Sequence, residues 1–428
     1  MMKTTFNFLK FSLFVLLLTI FSCRPDRPPK NENPNKVVIV PKIEIGKVVF
    51  YLENSQSMFG YVNGLTEYVD VVSELSEKPD FAAENTKREF NFINGGTPLS
   101  ITPLGSNPAI LRNKLNTQGF RCGDIRKSNL NSMFQIALKK AQNDTISILI
   151  SDGIYDIGQP QSPLNALSNI GKETRTKFIE RLVKGDVQTL MIKLNSNFNG
   201  IYYYSSVRNE PIQINNKSRP YYIWIFGKSE LLNKYFSEEY ITKNLKGYDN
   251  YARFLNINEN AIPYQVLPSV NRKGNFKPDR NNKHVIIDVK KDRNGNGFQF
   301  AIGVDFSSLP YADSYLTSTG NYNCNLGYKV KKIEKIKDNQ KHGVTSFENP
   351  THIITIHTDR SPFGKLNIVL KNEIPNWIQE THIDNELNID KDSVHTFGFS
   401  FLTDAISGAY GYKNKGKNLA SFTIEILK

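Results

Sequence analysis

Oxygen-bearing side chains that suit a hard metal ion recur at separate points in the N-terminal half of the sequence. Carboxylates and hydroxyls are ligands that Mg²⁺ accepts, and Mg²⁺ keeps several water molecules beside them in an octahedral shell. Such side chains could form part of that shell if the fold brings them to one place. The candidate metal ligands are Glu53, Ser55, Ser57, Ser132 and Asp152.

The segments around these residues alternate between strand and helix patterns. Residues 47–52 (KVVFYL) and 145–150 (TISILI) are continuous apolar runs, typical of strands buried on both faces. Residues 129–142 repeat apolar side chains at helical spacing. Further helices are predicted around residues 65–75, 164–184 and 228–240, and further strands at residues 88–93, 187–194 and 221–226.

This alternation predicts an α/β domain over residues 45–245, with a doubly wound, mostly parallel sheet between two layers of helices. In such sheets the working site lies beyond the carboxyl ends of the strands. Glu53 comes directly after the first of these predicted strands, and Asp152 comes two residues after the second. We therefore expect both carboxylates at that edge of the sheet.

The constellation resembles the von Willebrand factor type A domain with its metal-ion-dependent adhesion site. That family has an acidic-x-Ser-x-Ser loop after a strand, a Thr or Ser that starts a later helix, and an Asp after a central apolar strand. The segments VVFYLENSQSM, NSMFQIAL and ILISDG match this pattern in order and approximate spacing over residues 45–240. The resemblance implies that Mg²⁺ or another divalent cation is bound, and that a carboxylate of a protein partner completes its shell.

Glu53 departs from the family pattern, which has Asp at this position. The additional methylene moves the carboxylate outward by ~1.5 Å, and Mg²⁺ demands near-ideal octahedral geometry. Three expectations stay open: a weak site, a site for another ion, or a vestigial site. Capping of loops and turns is the alternative role of the serines.

Common catalytic motifs are missing from the sequence. It has no G-x-S-x-G elbow, H-E-x-x-H motif, Walker loop or dinucleotide-binding glycine pattern. Mg²⁺ with two carboxylates also serves phosphoryl transfer, so a hydrolase built on Glu53 and Asp152 is an alternative, but no base or nucleophile accompanies the two. We expect a protein that is not an enzyme, and infer no small-molecule substrate.

The N-terminus has the features of a bacterial secretory signal. The apolar residues 11–21 follow two lysines and are too short to cross a hydrocarbon core of ~30 Å. The segment IFSC, ending at Cys23, resembles the bacterial lipobox, which implies removal of residues 1–22 and lipidation of Cys23. An ordinary signal peptide with a chance cysteine is the alternative. The Pro-rich residues 23–44 then form a tether. Because Arg24 replaces the aspartate associated with inner-membrane retention, we expect an outer-membrane location.

The C-terminal half, residues 250–428, is predicted to be an antiparallel, β-sandwich-like domain. Residues 284–289 and 298–305 flank two Asn-Gly steps, which predict a hairpin. The same steps lie in a fragment of a calcium loop that lacks its closing glutamate, so a turn is favoured. Further strands are predicted at residues 328–336, 352–357, 366–370, 393–401 and 421–427, with a short helix near Trp377.

The formal net charge of +13 comes from basic residues scattered along the chain. A solvated basic surface is therefore favoured over binding to nucleic acid or anionic lipid, and no nucleic-acid partner is inferred. Whether Cys122 and Cys324 pair is left open. The sequence predicts an envelope lipoprotein that acts as a protein-binding module in adhesion or assembly, through a divalent metal at the sheet edge. The alternatives are a metal-free structural component of an envelope complex and a metal-dependent hydrolase.

Overall fold

The fold is known from a computed structural model, in which residues 43–428 form one compact unit. The predicted signal peptide, Cys23 and the tether up to residue 42 lie outside the described residues, as do Asn294 and Asn296 of the predicted turn. Within the described part of the chain, no helix has the length and apolar character needed to cross a membrane. The described residues are 43–257, 261–293, 297–336, 350–360 and 363–428.

The larger sheet has seven strands, and its parallel centre includes the strands that precede the candidate ligands. The strands are β1 (Lys47–Glu53), β2 (Lys87–Asn94), β3 (Ser100–Gly105), β4 (Thr145–Ser151), β5 (Gln188–Tyr202), β6 (Ile212–Gly227) and β7 (Tyr248–Phe254). They lie in the order β3-β2-β1-β4-β6-β5-β7. β1 pairs in parallel with β2 and β4, and the other four neighbouring pairs are antiparallel.

Helices cover both faces of this sheet. Successive side chains of β1 point to opposite faces, so its neighbouring residues belong to two different core clusters. Phe50 packs in one core cluster with Val72, and Tyr51 packs in another with Phe134 and Ile406. The described helices are α1 (Glu67–Ser76), α2 (Pro108–Lys114), α3 (Leu130–Lys140), α4 (Pro163–Leu182), α5 (Ser229–Tyr235), α6 (Glu238–Asn244), α7 (Asp313–Leu316), α8 (Asn376–Thr381) and α9 (Phe399–Asn414).

The α/β architecture is therefore confirmed, but the expected mostly parallel sheet is mixed. β5 and β6 are joined by residues 203–211 and form a long antiparallel hairpin, and β7 returns antiparallel beside β5. Their apolar sequences suggested parallel strands because both faces are buried. Burial on both faces here results from the helices and does not report strand direction. The single helix predicted over residues 228–240 is divided into α5 and α6.

Two further sheets face each other in the C-terminal half. Phe300 and Ile354 of one sheet share a core cluster with Ile368 and Ile424 of the other, which gives the predicted sandwich-like packing. All of their strand pairs are antiparallel except β10–β18 among the described residues, with β10 at Val285–Lys290 and β18 at Ala420–Ile426. The other strands are β8 (Tyr264–Leu267), β9 (Asn275–Pro278), β11 (Phe298–Val304), β12 (Tyr322–Cys324), β13 (Lys329–Lys335), β14 (His352–Thr358) and β15 (Gly364–Leu370). The sheet orders are β12-β15-β18-β10-β9 and β13-β14-β11-β8.

The hairpin predicted around the two Asn-Gly steps is wrong. β10 lies in the five-stranded sheet and β11 in the four-stranded sheet, so their connection passes from one layer of the sandwich to the other. An Asn-Gly step favours a tight turn but does not require that the flanking strands pair.

The strand predicted at residues 393–401 is also wrong in its second half. A short strand, β17 (Thr396–Phe397), pairs with β16 (His382–Ile383), and Gly398, with φ of 69°, separates it from α9. α9 packs its apolar face on the larger sheet, so segments on both sides of the predicted boundary near residues 245–250 build one layer. The division into domains of residues 45–245 and 250–428 stays a prediction. Cys122 and Cys324 are free thiols.

Candidate functional site

A cavity of about 300 Å³ lies at the edge of the larger sheet where three strands end. Glu53 is the last residue of β1, Asp152 follows β4, and Tyr202 is the last residue of β5. β5 runs in the same direction as β4, because β6 lies between them and is antiparallel to both. The cavity is therefore at the carboxyl ends of these strands.

Four of the five predicted ligands line the cavity, and a neighbouring serine lines it where Ser132 was expected. Ser132 lies in the first turn of α3, where its N–H donates to Asn129 Oδ1 at 3.0 Å. Among the described residues of this segment, it is Ser128 that borders the cavity together with the acidic residues. The predicted ligands that the fold brings together are Glu53, Ser55, Ser57 and Asp152.

Glu53 is held by hydroxyl donors in an almost fully buried position, with 1% of its surface exposed. The hydroxyls of Ser55 and Ser128 donate to Glu53 Oε1 at 2.7 and 2.6 Å. Burial raises the pKa of Glu53 to about 8, and the nearby Asp152 carboxylate adds to the rise. Hydrogen bonds from Ser128, Ser55 and Ser151 act in the opposite direction. Glu53 therefore retains a proton near neutral pH when no cation is present.

Asp152 is the second buried carboxylate of the cavity, with 5% of its surface exposed. Its Oδ1 accepts the Ile154 N–H at 3.1 Å. Burial raises the pKa of Asp152, whereas the Ile154 N–H, the Ser57 hydroxyl and the Arg219 guanidinium lower it. The carboxylate of Glu386 raises it further. Two acids with raised pKa values thus share one site, which is a frequent feature of functional sites.

Ser128 reaches the site because its loop pairs with the chain that follows β2. The Gly95 N–H donates to Lys127 O at 2.9 Å, and the Asn129 N–H donates to Gly95 O at 3.0 Å. Gly95 has φ of +90°, a backbone conformation that residues other than glycine rarely adopt. Asn129 caps α3, so Ser128 lies immediately before the helix at the sheet edge. Sequence patterns did not single out Ser128; its position just before a helix cap is the signal that could have identified it.

A buried asparagine fixes the loop that leads to Ser128. Asn54 Nδ2 donates to Phe120 O at 2.9 Å and to Cys122 O at 3.0 Å. The Gln56 N–H donates to Ile125 O at 2.8 Å. The Glu-x-Ser-x-Ser loop therefore supplies candidate ligands and also fixes the neighbouring loop. The backbone oxygens of that loop which accept these hydrogen bonds are satisfied within the protein.

The buried charges around the cavity do not balance. Glu53, Asp152 and Glu386 are buried, and Arg219 is the buried cation among the groups that act on Asp152. With every acid ionised, these four groups have a net charge of −2. Sequence patterns missed Arg219 and Glu386. Arg219 lies in β6 and Glu386 follows β16, so both come from segments distant in sequence from the loops of Glu53 and Asp152.

The donor set suits a hard divalent cation, which prefers oxygen ligands and retains water. Two carboxylates and the hydroxyls of Ser55, Ser57 and Ser128 border a cavity with room for several water molecules. Among the described residues, no cluster of three or more His, Cys, Asp or Glu side chains is arranged to hold a metal ion. A cation here would thus depend on hydroxyls and water as well as on carboxylates.

The fold and the cavity define a mixed α/β protein with a buried acidic site at the carboxyl edge of its sheet. No known protein-family profile and no curated protein matches the chain.

Proposed function

We propose that this chain is an envelope lipoprotein, anchored through Cys23, that binds a divalent cation in the cavity and through it a carboxylate of a protein ligand. The likeness to a von Willebrand factor type A domain is part of the proposal. Its support is that the Glu-x-Ser-x-Ser loop and Asp152 meet at one cavity.

The observation that carries the proposal is the uncompensated charge of the buried groups. Ionised carboxylates are costly to bury unless a cation accompanies them. Arg219 offsets one of the three acids, and a divalent cation would neutralise the remaining −2. Without the cation, the raised pKa of Glu53 indicates that a proton takes part of that role.

A carboxylate ligand follows from the charge and shape of the site. A neutralised cavity with an open cation position attracts a hard anionic oxygen, and a carboxylate supplies it. The exposed rim residues Arg126 and Lys127 add positive charge at the entrance. A protein ligand is favoured because the tethered chain would display this cavity to other proteins in the envelope.

Calorimetric titration of residues 43–428 with Mg²⁺, Mn²⁺ and Ca²⁺ tests the proposal. We expect binding of at least one cation, and at least about tenfold weaker binding in Asp152→Ala, which removes a ligand or the partner of a bound water. Asp144→Ala is the matched control, because it removes an exposed aspartate at the opposite end of β4. We expect this control to bind like the wild type.

Equal losses in the two variants, or no cation binding in the wild type, would contradict the proposal. A metal-free structural component of an envelope complex would then be the better description.

A further inference from the structure

The buried Glu386 carboxylate anchors the segment that follows β5. It accepts hydrogen bonds from the Tyr202 hydroxyl at 2.5 Å and from the Ser205 N–H at 3.0 Å. It also accepts the Ser206 N–H at 2.7 Å and the Ser206 hydroxyl at 2.5 Å. Glu386 has no exposed surface. One carboxylate from the C-terminal half therefore fixes both ends of residues 202–206.

The same segment is tied to the chain that follows Asp152. The Ser205 hydroxyl donates to Tyr155 O at 2.5 Å and accepts the Ile157 N–H at 2.9 Å. The Gln159 N–H donates to Ser205 O at 2.8 Å. Displacement of residues 202–206 would therefore also displace the loop after Asp152.

These two segments form one wall of the cavity, and this wall is largely aromatic. Tyr202, Tyr203 and Tyr204 line the cavity in succession, with Tyr155 and Ile154 beside them. The rings of Tyr202 and Tyr204 meet edge to face at a centroid distance of 5.6 Å. We call the segment of residues 202–206 the tyrosine wall.

We propose that the tyrosine wall, held by Glu386, selects ligands in which the carboxylate is joined to an aromatic or apolar group. The proposal rests on the proposed function, since the carboxylate is the group bound at the cation. The rings would pack against the adjoining group of the ligand, and aromatic contacts of this kind favour one ligand over another by a modest factor. Glu386 is a positioning residue, because it stands behind the wall and is not among the residues that line the cavity.

Two substitutions of Glu386 separate its hydrogen bonds from its charge. Glu386→Gln can keep an oxygen toward the Ser205 and Ser206 N–H groups and direct its NH₂ group to the Tyr202 oxygen, but it removes the charge. Glu386→Ala removes the charge and all of the hydrogen bonds. Any loss of cation affinity that comes from charge should therefore be equal in the two variants, whereas the wall is released in the alanine variant.

The test compares acetate with phenylacetate on the Mn²⁺-loaded protein, with displacement of metal-bound water followed by proton relaxation. We expect the wild type and Glu386→Gln to favour phenylacetate by about fivefold, the size of one aromatic contact. Glu386→Ala should favour it by less than about twofold. Tyr204→Leu removes a ring from the wall and leaves Glu386 in place, so it should lose the preference even if Glu386→Ala does not fold.

The inference is overturned if the Mn²⁺-loaded wild type does not distinguish the two acids, or if Tyr204→Leu retains the full preference. Absence of Mg²⁺, Mn²⁺ and Ca²⁺ binding in the wild type would remove the proposed function together with the inference. Normal Mn²⁺ binding without selectivity would remove the inference alone.

Discussion

Ser128 Oγ donates a hydrogen bond of 2.6 Å to Glu53 Oε1, although the two residues are 75 positions apart in the sequence. The contact joins the end of β1 to the residue that precedes the cap of α3, and it satisfies an oxygen of an almost fully buried carboxylate. Ser55 donates to the same oxygen at 2.7 Å. The longer side chain of Glu53 is thus accommodated by donors arranged around it.

Replacement of Ser128 should weaken cation binding, whereas replacement of Ser132 should not. Ser128→Ala removes a donor to a buried carboxylate, and loss of such a supporting group costs about tenfold in metal affinity. Ser132→Ala is the matched control from the same segment, because Ser132 is not among the described residues that line the cavity. Calorimetric titration with Mn²⁺ measures both. Weaker binding in Ser132→Ala alone would restore the ligand set expected from the family pattern.

Substitution of Glu53 by aspartate, the residue that von Willebrand factor type A domains have at the matching position, should weaken Mg²⁺ binding. The shorter side chain draws the carboxylate away from Ser55 and Ser128, whose hydroxyls meet Glu53 Oε1. We expect a loss of about fivefold or more in Mg²⁺ affinity, since the hydrogen bonds are to a charged group. Tighter binding by Glu53→Asp would indicate a degraded family site instead of one arranged around glutamate.

The metal-free protein should lose stability as the pH rises from about 5 to 8. The pKa of Glu53 is raised to about 8 in the folded protein, so the folded state binds more protons than the unfolded state across this window. Stability is therefore greatest below the unfolded pKa and falls as the pH passes through the folded pKa. The melting temperature in EDTA should fall by about 3 °C more in the wild type than in Glu53→Gln. Parallel pH profiles for the two proteins would show that Glu53 does not carry this proton.

The lipid anchor is tested on the full-length precursor in a bacterial host. Cys23→Ala should abolish labelling by a fatty-acid probe, because the acylated thiol and the processing site are both removed. Cys122→Ala is the matched control and should label normally, since Cys122 belongs to the folded body near Asn54. Labelling that persists in Cys23→Ala would exclude the lipoprotein assignment.

Local patterns were sufficient to predict most strands of the larger sheet and most of the helices that pack on it. They also predicted the edge of the sheet at which the candidate site lies. Apolar runs such as residues 145–150 are long, continuous and followed by polar residues, so both the strand and its end are visible. A ligand loop after such a strand is positioned by the fold itself. The meeting of Glu53 with Asp152 could therefore be anticipated.

Features that depend on long-range pairing could not be anticipated in this way. β6 is antiparallel to β4 because β5 and β6 form a hairpin, yet the three strands have similar apolar sequences. Glu386 contacts Tyr202 although more than 180 residues separate them, and an isolated acidic residue gives no sign of such a contact. The start of helix α9 was predicted as part of a strand, because residues 393–401 read as one apolar run although Gly398 divides it.

Proton release on cation binding tests the central claim most directly. A cation bound by Glu53 must displace the proton that this carboxyl holds, because a carboxylate binds metal in its deprotonated form. Calorimetry of Mg²⁺ or Mn²⁺ binding at pH 7, repeated in buffers with different ionisation enthalpies, counts the protons. We predict release of about one proton by the wild type, as a pKa of about 8 requires, and almost none by Glu53→Gln. Cation binding without proton release in the wild type, or equal release by both proteins, would contradict a cation site built on Glu53.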